Sequence, residues 1–475
     1  MISLLGYFFG LTKRKNMSSK LWGGRFEGKD IPSKILDFTS SLNDDKILAG
    51  VDAVSSIVHA ETLAKAGYVS KKEKDEIIAG LNDFLNKLNA GKIEFSGYED
   101  VHSLVQAYVE NKARDASKKM HTGRSRNEQI VNDVRLYTKE AVDKLIGAIR
   151  HLQKNLLETG EREFGKIIPG YTHINRAQPI LFSHLILAYI EMLERDRTRL
   201  LDAKARCDIS VMGSGAIAGS SLDLDRKFIA ELLGFKEVSA NSIDSVSDRD
   251  FMIEILSCLS IMAVHLSRMA EDMILYSSSE FGYLDMGEEF CTGSSLMPQK
   301  KNADVLELIR GRSSLVIGAL NALLVLLKGL PHAYNRDLQE DKKIFFNAIS
   351  LLDSELDIMA SIAVTLTVKE KISLEKLGDE FIYATDIAEY LVRKGISFKE
   401  AHWISGSIVK KCIEKNINIS GLKIMELKEF CEKFEEDIYK LLNAGMSIKM
   451  KKTIGSTNPN MVKKEIKKWK KFLSR

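Results

Sequence analysis

Proline and cysteine are scarce in this chain. Its 475 residues include only 6 prolines, so long stretches lack the residue that interrupts helices. The 5 cysteines stand far apart, without a CxxC pair or a Cys/His cluster. The sequence therefore permits long helices, and its cysteines favour a reducing compartment and no structural metal. Nothing around Cys291 indicates an activated thiol, so we interpret it as a bystander.

The sequence also lacks an uninterrupted apolar run of the roughly 20 residues that a membrane span requires. Its most apolar stretch, Phe251–Ser277, contains Glu254, Arg268 and Glu271, which is typical of a central bundle helix. Residues 1–19 begin with a short apolar run followed by basic residues, the reverse of a secretory signal. We expect an N-terminal extension there, and no membrane anchor.

No glycine-rich phosphate loop stands between a strand pattern and a helix pattern, which disfavours a nucleotide cofactor. The net charge of +4 is unevenly distributed. Residues 449–475 carry ten Lys/Arg and one acid, Glu465, so the rest of the chain is slightly acidic. No nucleic-acid motif accompanies these lysines, and we interpret the tail as a solvated helix.

Apolar residues recur at helical spacing along most of the chain. The segment Ile168–Pro179 lies between prolines and is predicted to be a loop, and His59 is interpreted as a packing histidine. After Lys369 the apolar stretches shorten, which favours a smaller helical C-terminal domain. Helices are predicted over 51–66, 71–88, 130–157, 180–208, 251–277, 315–329 and 345–368.

The segment Thr292–Arg312 changes from small polar residues and adjacent lysines to a helical pattern. Asn302 is predicted to cap the helix, with Asp304 in its first turn. Hydroxyls, cations and backbone N–H groups beside a helix start favour a site for a substrate carboxylate. An idle, solvated surface loop is the alternative on composition alone.

A second candidate anion site lies in MHTGRSRNEQ, which begins at Met120. It places Arg124, Arg126 and Asn127 at the head of a long predicted helix, where arginine forks can bind carboxylates. The alternative is an N-terminal turn with exposed arginines.

Several motifs together resemble the argininosuccinate lyases. GSSLMPQKKN, which begins at Gly293, resembles the signature of the wider fumarase/aspartase/argininosuccinate lyase superfamily. LWGGRF, HTGRSRNEQ, GYTHINRAQP, NSIDSVSDRDF and AYNRDLQEDK, in this order, resemble argininosuccinate lyase in particular. The resemblance runs from about Leu21 to beyond His402.

The resemblance implies an all-α fold of three helical domains, whose central long-helix bundle forms a twenty-helix core in a homotetramer. It implies active sites shared between subunits, a cytoplasmic protein and no cofactor or metal. The predicted divisions are an extension over 1–19, an N-terminal domain over 20–125, a central domain over 126–374, and a C-terminal domain with the basic tail over 375–475.

The reaction implied is the reversible elimination of argininosuccinate to L-arginine and fumarate by acid/base catalysis, in arginine biosynthesis. Ser294 matches the family's proposed base, and Lys300 is placed to stabilise its alkoxide. His173 and Glu307 match a pair in proton transfer. Matches to substrate-binding positions are Ser41, Arg126, Asn127, Thr172, Asn302, Tyr334, Gln339 and Lys342, with His102 as a weaker match.

Three alternatives remain open at this point. The first is another superfamily enzyme, such as adenylosuccinate lyase, aspartase or fumarase, against which LWGGRF, HTGRSRN and LQEDK argue. The second is a structural role, because this family has been recruited as a lens crystallin. The third is a binding module acting through the basic tail, which deletion of residues 449–475 tests.

Overall fold

The computed structural model describes residues 33–474, and within this range the chain is mainly helical. The N-terminal extension and the LWGGRF motif lie outside the described residues. Five helices have 24 residues or more. The helices are α1 Ser33–Thr39, α2 Leu42–Asp45, α3 Ala49–Lys65, α4 Lys71–Asn89, α5 Val101–Ser117, α6 Arg126–Arg162, α7 Phe182–Cys207, α8 Arg226–Leu232, α9 Ser242–Ser247, α10 Asp250–Ser277, α11 Asp304–Leu327, α12 Asp341–Thr365, α13 Glu370–Leu377, α14 Ala384–Arg393, α15 Phe398–Lys415, α16 Ile424–Lys428, α17 Ala444–Met450 and α18 Pro459–Leu473.

Short 3-10 helices and strands fill some of the connections. The 3-10 helices are Lys46–Leu48, Glu288–Phe290, Arg336–Glu340, Glu380–Tyr383, Ile419–Gly421 and Glu436–Leu441. The strands are β1 Ile167–Thr172, β2 Asn175–Leu181, β3 Ile209–Ser210, β4 Glu237–Val238, β5 Leu284–Asp285 and β6 Thr367–Val368. They pair as β1–β2 and β5–β6, both antiparallel, and β3–β4, parallel. The all-α prediction is confirmed.

The prediction of a loop over Ile168–Pro179 was wrong. The segment predicted as a loop between Pro169 and Pro179 forms the antiparallel hairpin β1–β2, in which these two prolines lie opposite each other. Proline cannot donate a ladder hydrogen bond and is tolerated in edge strands, so a two-stranded ribbon accommodates both. The short hairpin gives no alternation long enough to stand out in the sequence.

The described residues form two compact units that are discontinuous along the chain. The first comprises the described residues up to Ala141, with Ala203–Ile253 and Ala322–Asn347. The second comprises Val142–Asp202, Glu254–Asn321 and Ala348–Arg475, of which the last residue is not described. The three-domain division made from the sequence stays a prediction.

Local signals explain several boundaries. Helix α4 begins with a capping box, in which the Ser70 hydroxyl accepts a bond from the Glu73 N–H and the Glu73 carboxylate accepts one from the Ser70 N–H. Asp100 caps α5 by accepting from the Ser103 N–H at 2.7 Å. After α12 the chain builds a separate small core from α14, α15 and the following turns, which includes Ile387, Ile408 and Phe434.

By length and composition alone, three helical segments of the described chain are apolar enough to cross a membrane: Asp37–Lys65, Asp250–Ser277 and Asp304–Leu327. They differ in how much of that apolar surface the chain itself covers. Half of the apolar window of α10 is buried, whereas only 17% of that of α11 is. Helix α11 therefore presents a largely uncovered apolar surface in the single chain.

Candidate active site

The signature loop is held at its base by a pair of backbone hydrogen bonds. The Thr292 N–H donates to the Asn302 carbonyl at 3.0 Å, and the Asn302 N–H donates to the Thr292 carbonyl at 2.8 Å. Helix α11 begins at Asp304, so the capping position belongs to Ala303 and the predicted cap at Asn302 was one residue early. Asn302 closes the loop instead.

The Ser294 hydroxyl oxygen accepts hydrogen bonds from two backbone N–H groups of this loop. Its Oγ accepts hydrogen bonds from the Leu296 N–H at 3.3 Å and the Met297 N–H at 3.0 Å. Two N–H dipoles aimed at one oxygen stabilise negative charge on it. Two backbone donors from the same loop therefore favour negative charge on Ser294 Oγ.

The two adjacent lysines of the loop have different surroundings. Lys301 is tied to the body of its unit, because its ammonium contacts an Asp285 carboxylate oxygen at 3.0 Å and the Met286 carbonyl at 2.8 Å. Lys300 is exposed, and no described residue accepts a hydrogen bond from its ammonium. Lys300 is thus the cation that remains available to an anionic ligand.

Burial raises the pKa of the neighbouring Cys291 thiol, which agrees with its interpretation as a bystander.

The hairpin presents His173 at its tip. Thr172 and Asn175 close a two-residue turn in which both His173 and Ile174 have positive φ, 58° and 61°. This is the left-handed conformation that two-residue hairpin turns require and that glycine or asparagine adopts most easily. A histidine and a β-branched residue in this conformation indicate backbone strain in the turn that carries the imidazole.

An aromatic cluster supports this hairpin. The Tyr171 ring lies 5.1 Å from the Phe281 ring and 5.9 Å from the Tyr276 ring, centroid to centroid. Tyr283 stacks on Tyr171 with an interplanar angle of 3°. Burial raises the pKa of Tyr276 to about 12, so this phenol stays neutral at physiological pH. The neutral rings form an apolar base beneath the residues that carry the histidine.

His173 and Glu307 do not pair within the chain. Both side chains are exposed, and no hydrogen bond or ion pair among the described residues joins them. Glu307 lies in the first turn of α11. The sequence-predicted pair is therefore separate in a single chain.

A second group of predicted residues meets in the first unit, around Arg126. Its Nε lies 3.2 Å from an Asp100 carboxylate oxygen. Its two terminal nitrogens donate to Gln129 Oε1 at 2.9 Å and to Ser103 Oγ at 3.3 Å. The neighbouring Asn127 donates from Nδ2 to the Ala216 carbonyl at 3.2 Å. The guanidinium is thus fixed before any ligand arrives.

The remaining predicted residues of this unit surround the same region. Ser41 donates to an Asp45 carboxylate oxygen at 2.5 Å, and its backbone N–H bonds the Glu99 carbonyl. Gln339 donates to the Thr39 carbonyl at 3.2 Å. Burial raises the pKa of Tyr334, whose electrostatic neighbours include Asp100.

Lys342 has a different environment from the one that the resemblance implied. Its side chain is 2% exposed, and its ammonium lies 3.1 Å from Asp341 Oδ1. The other Asp341 oxygen accepts from Arg249 Nε at 2.5 Å. In this state Lys342 is part of a buried ion cluster at the start of α12.

His102 is fully buried. Its Nδ1 lies 2.9 Å from Asp52 Oδ1 and 3.5 Å from Asp133 Oδ2, and these three residues are the described group whose spacing fits a metal ion. Burial and the nearby Asp52 raise the pKa of Asp133 well above its usual value. This shift favours a protonated Asp133 beside the Asp52 carboxylate. Among the described residues, Asp52 Oδ2, His102 Nε2 and both carboxyl oxygens of Asp133 have no hydrogen-bond partner.

The sequence reading missed three residues that the structure places beside predicted ones: Asp45, Asp100 and Gln129. Asp45 stands four residues after Ser41, one helical turn away, and Gln129 stands three residues after Arg126. Asp100 shows the cap pattern D-x-x-S. Helical spacing from the predicted residues was the available signal.

Comparisons with known proteins place this geometry in a family. A family model described as "Lyase" matches residues 24–318, and one described as "Argininosuccinate lyase C-terminal" matches residues 381–449. The argininosuccinate lyase of Pelotomaculum thermopropionicum is 42% identical over 451 residues, which cover 95% of this chain and 98% of that protein. The chain belongs to the argininosuccinate lyase family.

Other comparisons agree with this membership. The argininosuccinate lyase of Bacillus anthracis is 43% identical over 453 residues, covering 95% of this chain and 98% of the relative. A crystal structure of EDDS lyase in complex with formate has the same fold, with a TM-score of 0.81 at 24% identity and coverage of 95% of this chain and 92% of that one. As a member of the argininosuccinate lyase family, the chain is a lyase with an all-α fold.

Proposed function

We propose that this protein catalyses the reversible elimination of argininosuccinate to L-arginine and fumarate, in arginine biosynthesis. The observation that carries the proposal is the identity of about 42% to argininosuccinate lyases over 95% of the chain. The reaction breaks a C–N bond. It needs a base for a weakly acidic proton next to a carboxylate, an acid for the departing guanidinium nitrogen, and positive charge for the intermediate.

Ser294 is the base in this proposal. An isolated serine hydroxyl is too weakly acidic to supply an alkoxide, so its charged form must be stabilised by its surroundings. The N–H groups of Leu296 and Met297 donate to its Oγ and provide part of that stabilisation. The free ammonium of Lys300 lies six residues along the same loop and supplies charge for the alkoxide and for the developing aci-carboxylate. Asn302, at the loop's base, contacts the same half of the substrate.

His173 and Glu307 act as a pair in proton transfer. A carboxylate bound to one imidazole nitrogen fixes the tautomer and favours the protonated ring, which suits an acid. Because the two side chains are exposed and unpaired in the single chain, we propose that each meets its partner on another subunit. The strained turn at His173 holds the ring ready for that contact.

Substrate binding uses the residues around Arg126 and those on the hairpin. Arg126 and Asn127 stand at the start of α6, where an arginine and a helix N-terminus favour a carboxylate. The other proposed contacts are Ser41, Thr172, Tyr334, Gln339 and Lys342, with His102 acting from the buried cluster behind Arg126. No cofactor takes part in the proposal.

We further propose a cytoplasmic homotetramer in which active sites are shared between subunits. The uncovered apolar surface of α11 supports this assembly, since Leu308, Leu315 and Val325 are 53%, 62% and 65% exposed in the single chain. A surface of this kind is typical of subunit interfaces.

Fumarate release measured by ultraviolet absorbance tests the reaction. Argininosuccinate is offered to the purified protein, with adenylosuccinate and aspartate as control substrates. We expect fumarate from argininosuccinate alone. Fumarate from either control without release from argininosuccinate assigns the chain to another activity of the superfamily and overturns the proposal.

A further inference from the structure

The amide of Gln129 lies between Arg126 and a buried carboxylate. Its Oε1 accepts from Arg126 at 2.9 Å, and its Nε2 donates to Oδ1 of Asp52. Gln129 is 1% exposed, so neither end of the amide has water as an alternative partner. The bond to Asp52 links segments that are distant in the sequence, because Asp52 belongs to α3 and Gln129 to α6, whereas the bond from Arg126 lies within α6.

Asp52 determines which way this amide points. An ionised carboxylate only accepts hydrogen bonds, so the NH₂ end of Gln129 must face it and the carbonyl end must face Arg126. Burial opposes the ionisation of Asp52, but His102 and Arg124 outweigh burial and hold its pKa below the usual range. His102 Nδ1 bonds the same Asp52 oxygen at 2.9 Å. The carboxylate is therefore a fixed acceptor.

The resulting chain of contacts leaves Arg126 little freedom. The Asp100 carboxylate forms an ion pair with Nε of Arg126. Gln129 and Ser103 each accept a hydrogen bond from one of the two terminal nitrogens. A free arginine side chain loses substantial rotamer entropy when it binds a ligand, and a prefixed one has already lost it. The guanidinium has five N–H groups, so donors remain for a substrate carboxylate.

We infer that Gln129 is a positioning residue, which Asp52 orients and which fixes Arg126 for binding the substrate carboxylate. The inference rests on the proposed function, because it assigns Gln129 a role through a proposed substrate-binding residue. Asp133 lies in the same buried cluster and makes no hydrogen bond to Gln129 among the described residues. It therefore provides a matched comparison for Asp52.

Steady-state kinetics of the full-length protein test this role. Gln129→Met keeps the shape of the side chain and removes both hydrogen bonds. A hydrogen bond to a charged group is worth roughly a factor of ten or more, so we expect KM for argininosuccinate to rise about tenfold. We expect kcat to change less than about twofold, because contacts made equally in the ground and transition states affect KM alone. Unchanged KM in a folded Gln129→Met protein overturns the inference.

A double-mutant cycle separates positioning from general damage. If Gln129 acts through Arg126, adding Gln129→Met to Arg126→Ala lowers kcat/KM no further. An equal loss in both backgrounds shows a structural role and contradicts the inference. If the wild-type protein releases no fumarate from argininosuccinate, the proposed function fails. If the wild-type protein is active and Gln129→Met has the same KM, only the role of Gln129 fails.

Two substitutions in the buried cluster give a second test that leaves Gln129 intact. Asp52→Asn removes the charge that orients the amide and is expected to raise KM severalfold. Asp133→Asn replaces a carboxyl group that holds its own proton and is expected to leave KM within about twofold. Equal effects of the two substitutions on KM contradict the orienting role of Asp52.

Discussion

At the scale of single residues, the proposed chemistry depends on ionisation of the Ser294 hydroxyl. The Ser294 oxygen has two backbone donors, at 3.0 and 3.3 Å, that come from the two residues closing the same turn. Backbone donors are already oriented when the proton leaves, so little reorganisation accompanies the charge. Both donors belong to the loop that carries Ser294, so these contacts depend on the conformation of that loop.

Replacement of Ser294 by alanine is expected to abolish most turnover while assembly and substrate binding are largely kept. Removing a proton-transfer group costs roughly 10²- to 10⁴-fold in kcat. The measurement is kcat and KM by fumarate absorbance, with subunit assembly followed by light scattering. Ser354→Ala, at an exposed position of α12, is the control and is expected to retain activity. Near wild-type turnover by Ser294→Ala would remove serine from the role of base.

At the scale of elements, helix α12 contains a buried acid without a partner. Glu355 is 1% exposed, and neither of its carboxylate oxygens has a hydrogen-bond partner among the described residues. Burial raises its pKa to about 7, with Arg312 on α11 acting in the opposite direction. A carboxyl group in this position is neutral in mildly acidic solution and becomes a buried charge as the pH rises.

The sign of the pH effect follows from the raised pKa of Glu355. The folded-state pKa lies above the unfolded value of 4.5, so the folded protein binds a proton that the unfolded chain releases. The stability from this proton is fully present below pH 4.5 and is lost as pH rises through about 7. Glu355→Gln is therefore expected to raise the melting temperature more at pH 8 than at pH 5.

Thermal unfolding followed by circular dichroism checks this prediction for Glu355. The exposed Glu158 of α6 provides the control, since Glu158→Gln is expected to shift the melting temperature little at either pH. A larger gain for Glu355→Gln at pH 5 than at pH 8 contradicts the buried neutral carboxyl group.

At the scale of the whole molecule, a single chain leaves two kinds of group unsatisfied. Helix α11 exposes leucines and valines that the chain's own helices do not cover. Among the described residues, the side chains of His173 and Glu307, which are proposed for proton transfer, form no hydrogen bond or ion pair. In the proposed homotetramer, other subunits cover α11 and also supply the partners of His173 and Glu307. Stability and activity are thereby expected to depend on the same contacts.

Leu315→Arg is expected to separate the subunits and to abolish turnover together. A charge introduced at a desolvated interface is costly unless it finds a partner. The measurement is the mass in solution by light scattering, with fumarate release from the same samples. Leu374→Arg places the same charge on a leucine of α13 that is 51% exposed, and it is expected to keep both mass and activity. A fully active Leu315→Arg monomer contradicts shared sites.

Sequence by itself determined the helical class, the approximate helix positions and the residues of the candidate site. The predicted helix 71–88 is α4 at Lys71–Asn89, and the predicted 251–277 is α10 at Asp250–Ser277. These features follow from apolar spacing and capping within a few residues, which are local properties of the chain. The motifs likewise carry Ser294 and Lys300 together in one short segment.

Only the tertiary structure decided which residues meet. The bonds from Gln129 to Asp52 and from Arg249 to Asp341 join positions 77 and 92 residues apart, and no local pattern records such separations. The hairpin at His173 was missed because non-local contacts stabilise it. Its strands pair with each other, and the Tyr171 ring packs on the rings of Tyr276, Phe281 and Tyr283. The role predicted for the signature loop stays a prediction, and the donors on Ser294 are backbone N–H groups, which a list of side chains does not reveal.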